Sequence, residues 1–147
     1  MSKMTPYELQ CPHCGNTQET IVWQSINVTI DSKLKQKLLA GEINLFDCKK
    51  CGKKTFINVP LLYHDMKQRF FVQYYPPKAL EDDEVLSQYT PDGSLSLINI
   101  PAAVTESDAY LTRPHIVFDI DEMIRYVAFR DRLVDLKKRI NEQPVSR

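Results

Sequence analysis

The chain has 147 residues, 43% of them apolar, and its 19 Lys/Arg are balanced by 19 Asp/Glu. That length suits one compact domain. No apolar run approaches the roughly 20 residues that span a bilayer, and a zero net charge counts against nucleic acid as the main partner. The charge is divided, however. Residues 1–75 carry ten Lys/Arg against six Asp/Glu, a net +4, and residues 76–147 carry nine against thirteen, a net −4. Such a split fits two halves that attract each other, or a modest basic patch on the first.

The opening stretch, MSKMTPYELQ, lacks the apolar segment of a secretory signal, which places the chain in the cytoplasm. Thiols stay reduced there, so paired cysteines are expected as ligands or redox groups rather than disulfides. Residues 18–30, QETIVWQSINVTI, alternate like a strand. Ile21 and Trp23 share one parity and Ile26, Val28 and Ile30 the other, so a bulge is expected near Gln24–Ser25. Asp31 can cap a short helix, SKLKQKLLA, with Leu34 and Leu38 on one face and Gly41 as its stop.

Two strand-like runs come next, 55–63 and 69–75, joined by a connector over 64–68 that suits a hairpin loop. Pro60 argues for an edge or a bulge in the first run. The EDDE run at 81–84 reads as a solvated loop or a helix start. The Pro-Asp-Gly turn within SQYTPDGSLSLINIP suggests a second hairpin, and residues 101–114 look irregular.

The final element is a long helix. Asp119 is its cap, with Glu122 three residues on as in a capping box, and it is expected to run to about Gln143, roughly 35 Å. Its apolar residues form two stripes. Ile120, Met123, Ile124, Val127 and Val134 share one side. Tyr126, Phe129, Leu133, Leu136 and Ile140 step 3, 4, 3, 4, as a heptad seam does. One stripe suits the body of the domain, the other a protein partner or a homodimer. The competing reading is one broad face packed intramolecularly.

All four cysteines lie in two near-copies of a pentapeptide, CPHCG at 11–15 and CKKCG at 48–52. A two-residue spacing brings both sulfurs of a pair to one side, and the glycine allows a turn through positive φ. Cys11, Cys14, Cys48 and Cys51 can then close a tetrahedron around Zn²⁺ at about 2.3 Å per bond. The 33-residue gap between the pairs exceeds the usual 15–20, but a strand and a helix fill it, as in a zinc ribbon with an insertion. Three rivals exist. Thiol–disulfide exchange also uses a C-P-H-C sequence, but needs a strand before the first Cys and a helix starting at it. Neither is expected here. An iron centre of rubredoxin type is the second rival, since a Cys₄ site accepts either metal. A disulfide staple is the third, disfavoured by the compartment.

A closed shell leaves no open position for catalytic zinc. His13 is a solvated knuckle residue in this reading, His64 lies in a turn, and His115 is likewise not a ligand. No nucleophile–base motif, phosphate loop or paired-carboxylate signature stands out, so enzymatic activity is not expected. The glycosylation sequon at Asn27-Val28-Thr29 is discounted as part of a strand. Lys49, Lys50, Lys53 and Lys54 either offset the charge of a metal–thiolate centre or contact nucleic-acid phosphates. Trp23, Phe56, Phe71 and Tyr74 could stack bases, but strand spacing favours the core for them.

CPHCG, CKKCG, the later INVPLLYHD and the late RDRLVDLKKRI together resemble the CpXC family of bacterial and archaeal proteins over residues 9 to 140. The family is named for two C-P-x-C motifs. Cys11, Pro12 and Cys14 match the first. In the second, Lys49 stands where the family has proline, which spares metal binding because proline is not a ligand. The family carries no assigned activity, so the resemblance implies no role. The expected fold is α+β, a small antiparallel sheet with a zinc-ribbon-like Cys₄ site, a short helix between the knuckles and a long C-terminal helix. Residues 5–76 form the ribbon-like unit and 77–147 the hairpin and helix, as parts of one domain.

Overall fold

In the computed structural model, which describes residues 2–96 and 106–142, the chain builds a five-stranded sheet and a separate two-stranded ribbon. Strands β1 (Lys3–Gln10) and β2 (Thr17–Asn27) form an antiparallel hairpin. Lys3 faces Ser25 while Met4 faces Trp23, so Gln24 has no counterpart. This is the bulge that the change of parity requires. The extra residue lets both Trp23 and Ile26 reach the same core. Asn27, at the end of β2, is buried, which removes its amide from any glycosylating enzyme.

Helix α1 (Ser32–Leu39) buries Leu34 and Leu38. Gly41, at φ 74°, ends it. The Gly41 N–H donates to Leu38 O and the Glu42 N–H to Lys37 O, a Schellman closure. The expected side-chain cap does not form at the other end, where the Asp31 carboxylate accepts from Ser2 Oγ instead.

Strands β3 (Leu45–Asp47) and β4 (Lys54–Phe56) make the ribbon, and β5 (Leu61–Asp65) and β6 (Phe70–Tyr74) return to the main sheet. The single strand expected over 55–63 is therefore two, in different sheets. Pro60 sits at the break, where a residue without an N–H cannot continue a ladder. His64 belongs to β5 rather than to a turn, and the hairpin loop is 66–69.

The main sheet has the order β1-β2-β5-β6, closed at its far edge by β7 (His115–Val117). It is mixed, not purely antiparallel, because β2–β5 and β6–β7 run parallel. Parallel neighbours need long crossover connections. The α1–ribbon excursion supplies one, and the stretch after β6 supplies the other. That stretch holds a short helix α2 (Asp83–Leu86), capped by Asp82, which accepts from the Glu84 N–H. The EDDE run is thus a helix start. Tyr89 bridges Leu95 around a turn with Gly93 at φ 85°. The rest of that expected hairpin, 97–101, lies outside the described residues.

Helix α3 (Ile120–Glu142) begins at Asp119, whose carboxylate accepts from the Asp121 N–H. The expected end at Gln143 lies just outside the described residues. α1 and α3 cover one face of the sheet. Ile26, Leu61, Tyr63, Val72, Val117, Met123 and Val127 are buried between them, and Lys35 meets Asp131 at 2.6 Å to join the two helices. Strand β7, from the second half, pairs with β6 from the first, so both halves share this sheet.

On the opposite face His64 contacts the Phe71 and Tyr110 rings, with its Nε2 2.7 Å from Tyr110 Oη. Burial lowers the His64 pKa from 6.5, and Asp65 opposes it. The folded state thus favours the neutral ring. This part of the stability is intact above about pH 6.5 and is lost as pH falls below it, where the unfolded chain takes up the proton. As pH falls from 8 to 5, the melting temperature of the wild type should drop relative to that of His64→Phe. A constant offset across that range would remove the assignment to His64.

Candidate metal centre

Each cysteine pair is the tip of a β-hairpin. Residues 11–16 join β1 to β2, and residues 48–53 join β3 to β4. The two tips repeat one hydrogen-bond pattern. The Cys11 N–H donates to Asn16 O at 2.8 Å and the Gly15 N–H to Cys11 O at 3.0 Å. Cys48 to Lys53 at 3.1 Å and Gly52 to Cys48 at 2.9 Å are their equivalents. Both closures need the glycine, at φ 78° and 74°. The turn also aims N–H groups at sulfur, His13 to Cys11 Sγ at 3.4 Å and Cys51 to Cys48 Sγ at 3.5 Å.

The tips meet sulfur to sulfur. Cys11 Sγ is 3.7 Å from Cys51 Sγ, Cys14 Sγ is 3.5 Å from Cys48 Sγ, and all four lie within 4.8 Å of one another. A tetrahedron with bonds of about 2.3 Å has edges of about 3.8 Å, so the donor set fits a four-coordinate metal ion. A disulfide would need about 2.05 Å, and all four are free thiols. Cys11 and Cys48 are buried with Phe46, under Leu9 and Ile57, while Cys14 and Cys51 face solvent.

The thiols feel this crowding. The Cys51 N–H is the main influence that holds the Cys48 thiol down at about 6, against the opposing push of burial. Cys51 is pushed up to about 11. The Lys53 N–H pulls it down, but burial and the sulfurs of Cys48, Cys11 and Cys14 outweigh that pull. Four thiolates this close cannot all ionise unless a cation shares their charge.

A strand does precede Cys11, contrary to the expectation from sequence, so the case against thiol–disulfide exchange shifts to the other flank. After Cys14 the chain enters a hairpin closure and then β2, with no helix N-terminus to stabilise a thiolate. No histidine joins the cluster among the described residues. His13 is exposed at the knuckle, and His115 stacks on Tyr126 at 3.8 Å. Lys49, Lys50, Lys53 and Lys54 are all exposed around the second tip. Phe71 and Tyr74 are buried, and Trp23 and Phe56 pack against the core. Trp23 and Phe56 are thus half-buried rather than fully enclosed.

Sequence reasoning missed the side chain that locks the tips together. Gln18, on β2, donates from Nε2 to Asp47 O at 2.8 Å and accepts at Oε1 from the Lys49 N–H at 3.0 Å, gripping the chain on both sides of Cys48. Asn16 bonds the same Oε1 and reaches Cys48 Sγ at 3.9 Å. The only signal in the sequence is two amides just after CPHCG. The Asp47 carbonyl that Gln18 bonds and the Cys48 sulfur that Asn16 reaches lie some thirty residues away.

A mixed α+β fold in which two Cys-x₂-Cys-Gly hairpin tips close one four-sulfur cluster defines a class of small proteins built on a Cys₄ site able to hold a metal ion. The sequence profile of the CpXC family (CpXC protein) matches residues 9–140, and the chain belongs to that family. No match was found among curated proteins or among solved structures. No helix of the described residues is long and apolar enough to cross a membrane.

Proposed function

We propose that this chain is a zinc-stabilised binding module. Cys11, Cys14, Cys48 and Cys51 hold one structural Zn²⁺, and the protein acts through its surfaces rather than at the metal. The convergence of four sulfurs from two hairpin tips within 4.8 Å carries this reading. Four thiolates fill a tetrahedral shell, so bound zinc cross-links the tips and offers no open position for substrate. Zn(Cys)₄ bears a formal charge of −2, which the surrounding lysines offset. Elemental analysis should find one zinc per chain and the protein should be colourless. A coloured, iron-loaded protein would support the rubredoxin-like alternative, and a metal-free folded protein would defeat the metal reading altogether.

Gln18 positions Cys48 in this scheme. Gln18→Ala should release zinc to a chelator at about tenfold lower competitor concentration, the usual scale for groups that orient ligands. Unchanged release would deny Gln18 that role. A nucleic-acid-binding ribbon using Lys49, Lys50, Lys53 and Lys54 is the second reading, favoured by their common exposure at one tip. It requires binding to mixed oligonucleotides that falls steeply with salt.

A further inference from the structure

Helix α3 is packed over its first half and projects over its second. Met123 and Val127 are buried against the sheet and Asp131 meets Lys35, but residues 135–141 are all exposed. Along the projecting side Phe129, Leu133, Leu136 and Ile140 are 54%, 37%, 43% and 55% exposed. They continue from Tyr126 at a/d spacing. A strip this narrow suits knobs-into-holes packing on a helix rather than the broad apolar face with which a helix lies on a membrane.

The flanking charges say which helix. With Tyr126, Leu133 and Ile140 at a and Phe129 and Leu136 at d, the g positions hold Arg125, Arg132 and Arg139. The e positions hold Arg130 and Lys137. Every flanking position is a cation. The nearby acids, Asp131 and Asp135, fall at f and c, away from the seam. A second copy would meet like charge in either orientation, because g faces e in a parallel pair and g faces g in an antiparallel one. Among the described residues Arg130 is the one flank already engaged, over the Phe70 ring at 4.2 Å.

We propose that this seam docks an amphipathic helix of a different protein, one with apolar a and d residues and Asp or Glu at its e and g positions. This inference rests on the binding-module reading and names the chemistry of its partner. The test uses the zinc-loaded, full-length protein and two synthetic three-heptad peptides with Leu at a and d. One carries Glu at e and g, and its twin carries Lys. Fluorescence anisotropy should show the Glu peptide bound at least about tenfold tighter than its twin, with affinity falling as salt rises. Arg132→Glu combined with Arg139→Glu should reverse that preference. Leu136→Glu should abolish binding with circular dichroism unchanged.

Equal binding of both peptides, or a preference indifferent to the charge reversal, overturns the proposal. So does self-association in sedimentation that Leu136→Glu abolishes, which assigns the seam to a second copy. Binding to phosphatidylserine vesicles without binding to the Glu peptide assigns it to lipid and overturns it equally. Both variants keep all four cysteines. Lost preference with zinc retained therefore rejects the seam alone, whereas a zinc-free folded protein rejects the metal reading alone.

Discussion

Cys48→Ser is expected to remove the metal and to cost about 3 kcal/mol or more of stability, lowering the melting temperature by about 10 °C. The damage should be local. Cys48 lies with Cys11 and Phe46 in a small buried cluster of its own, separate from the main core of Ile26, Tyr63, Met123 and Val127. Hydrogen exchange should therefore lose protection in residues 9–18 and 45–57 while β5, β6 and the first half of α3 keep theirs. Cys11→Ser should behave alike, since the two tips share one cluster. Lys49→Ala, exposed beside the same tip, is the control and should leave both metal and stability in place. A Cys48→Ser protein with native metal content and an unshifted melt would reject the structural role of the site.

Asn44→Ala should cost about 3 kcal/mol. Asn44 lies between α1 and β3, is 2% exposed and has φ 56°. Its Oδ1 accepts from the Trp23 N–H at 2.7 Å and its Nδ2 donates to Trp23 O at 3.0 Å. Its own carbonyl accepts from the Ile57 N–H at 2.7 Å. The β2–β5 ladder covers only 25–27. At Trp23 the Asn44 amide takes the place of the missing strand, tying β2, the ribbon and the segment after β4 together. Alanine leaves two backbone groups without partners at about 1 kcal/mol each, and adds about 1 kcal/mol for a left-handed non-glycine residue. Asn44→Gly loses the bonds but not the backbone fit, so urea unfolding should place it about 1 kcal/mol above alanine. A loss under about 1 kcal/mol for Asn44→Ala would mean that the knot at Trp23 is dispensable.

Some features were legible because their causes are local. The parity change at Gln24 announces the bulge, Gly41 announces the end of α1, and the steps along α3 announce one buried and one exposed stripe. β1 was not legible. Its burial pattern is mostly exposed and Pro6 interrupts its middle, so no alternation survives in MTPYELQ. It is a strand because β2 pairs with it, and an edge strand with one partner tolerates the proline. The expected strand over 55–63 failed for the opposite reason. Its apolar content is continuous, but its two ends serve different sheets.

By itself the sequence determined the donor set: four cysteines, two spacings and two glycines, each governed by a turn of a few residues. It also determined which side of each helix is apolar. Only the tertiary structure decided what those features meet. It put a ribbon between β2 and β5 and so made the sheet mixed, and it brought Gln18 to the far side of Cys48 and Asn44 to Trp23. It also buried Met123 and Val127 while leaving Leu136 and Ile140 exposed. Local patterns specify a side chain's preference for burial or for a turn. Which partner satisfies it depends on contacts between segments from about twenty to about a hundred residues apart, and those exist only once the sheet has closed.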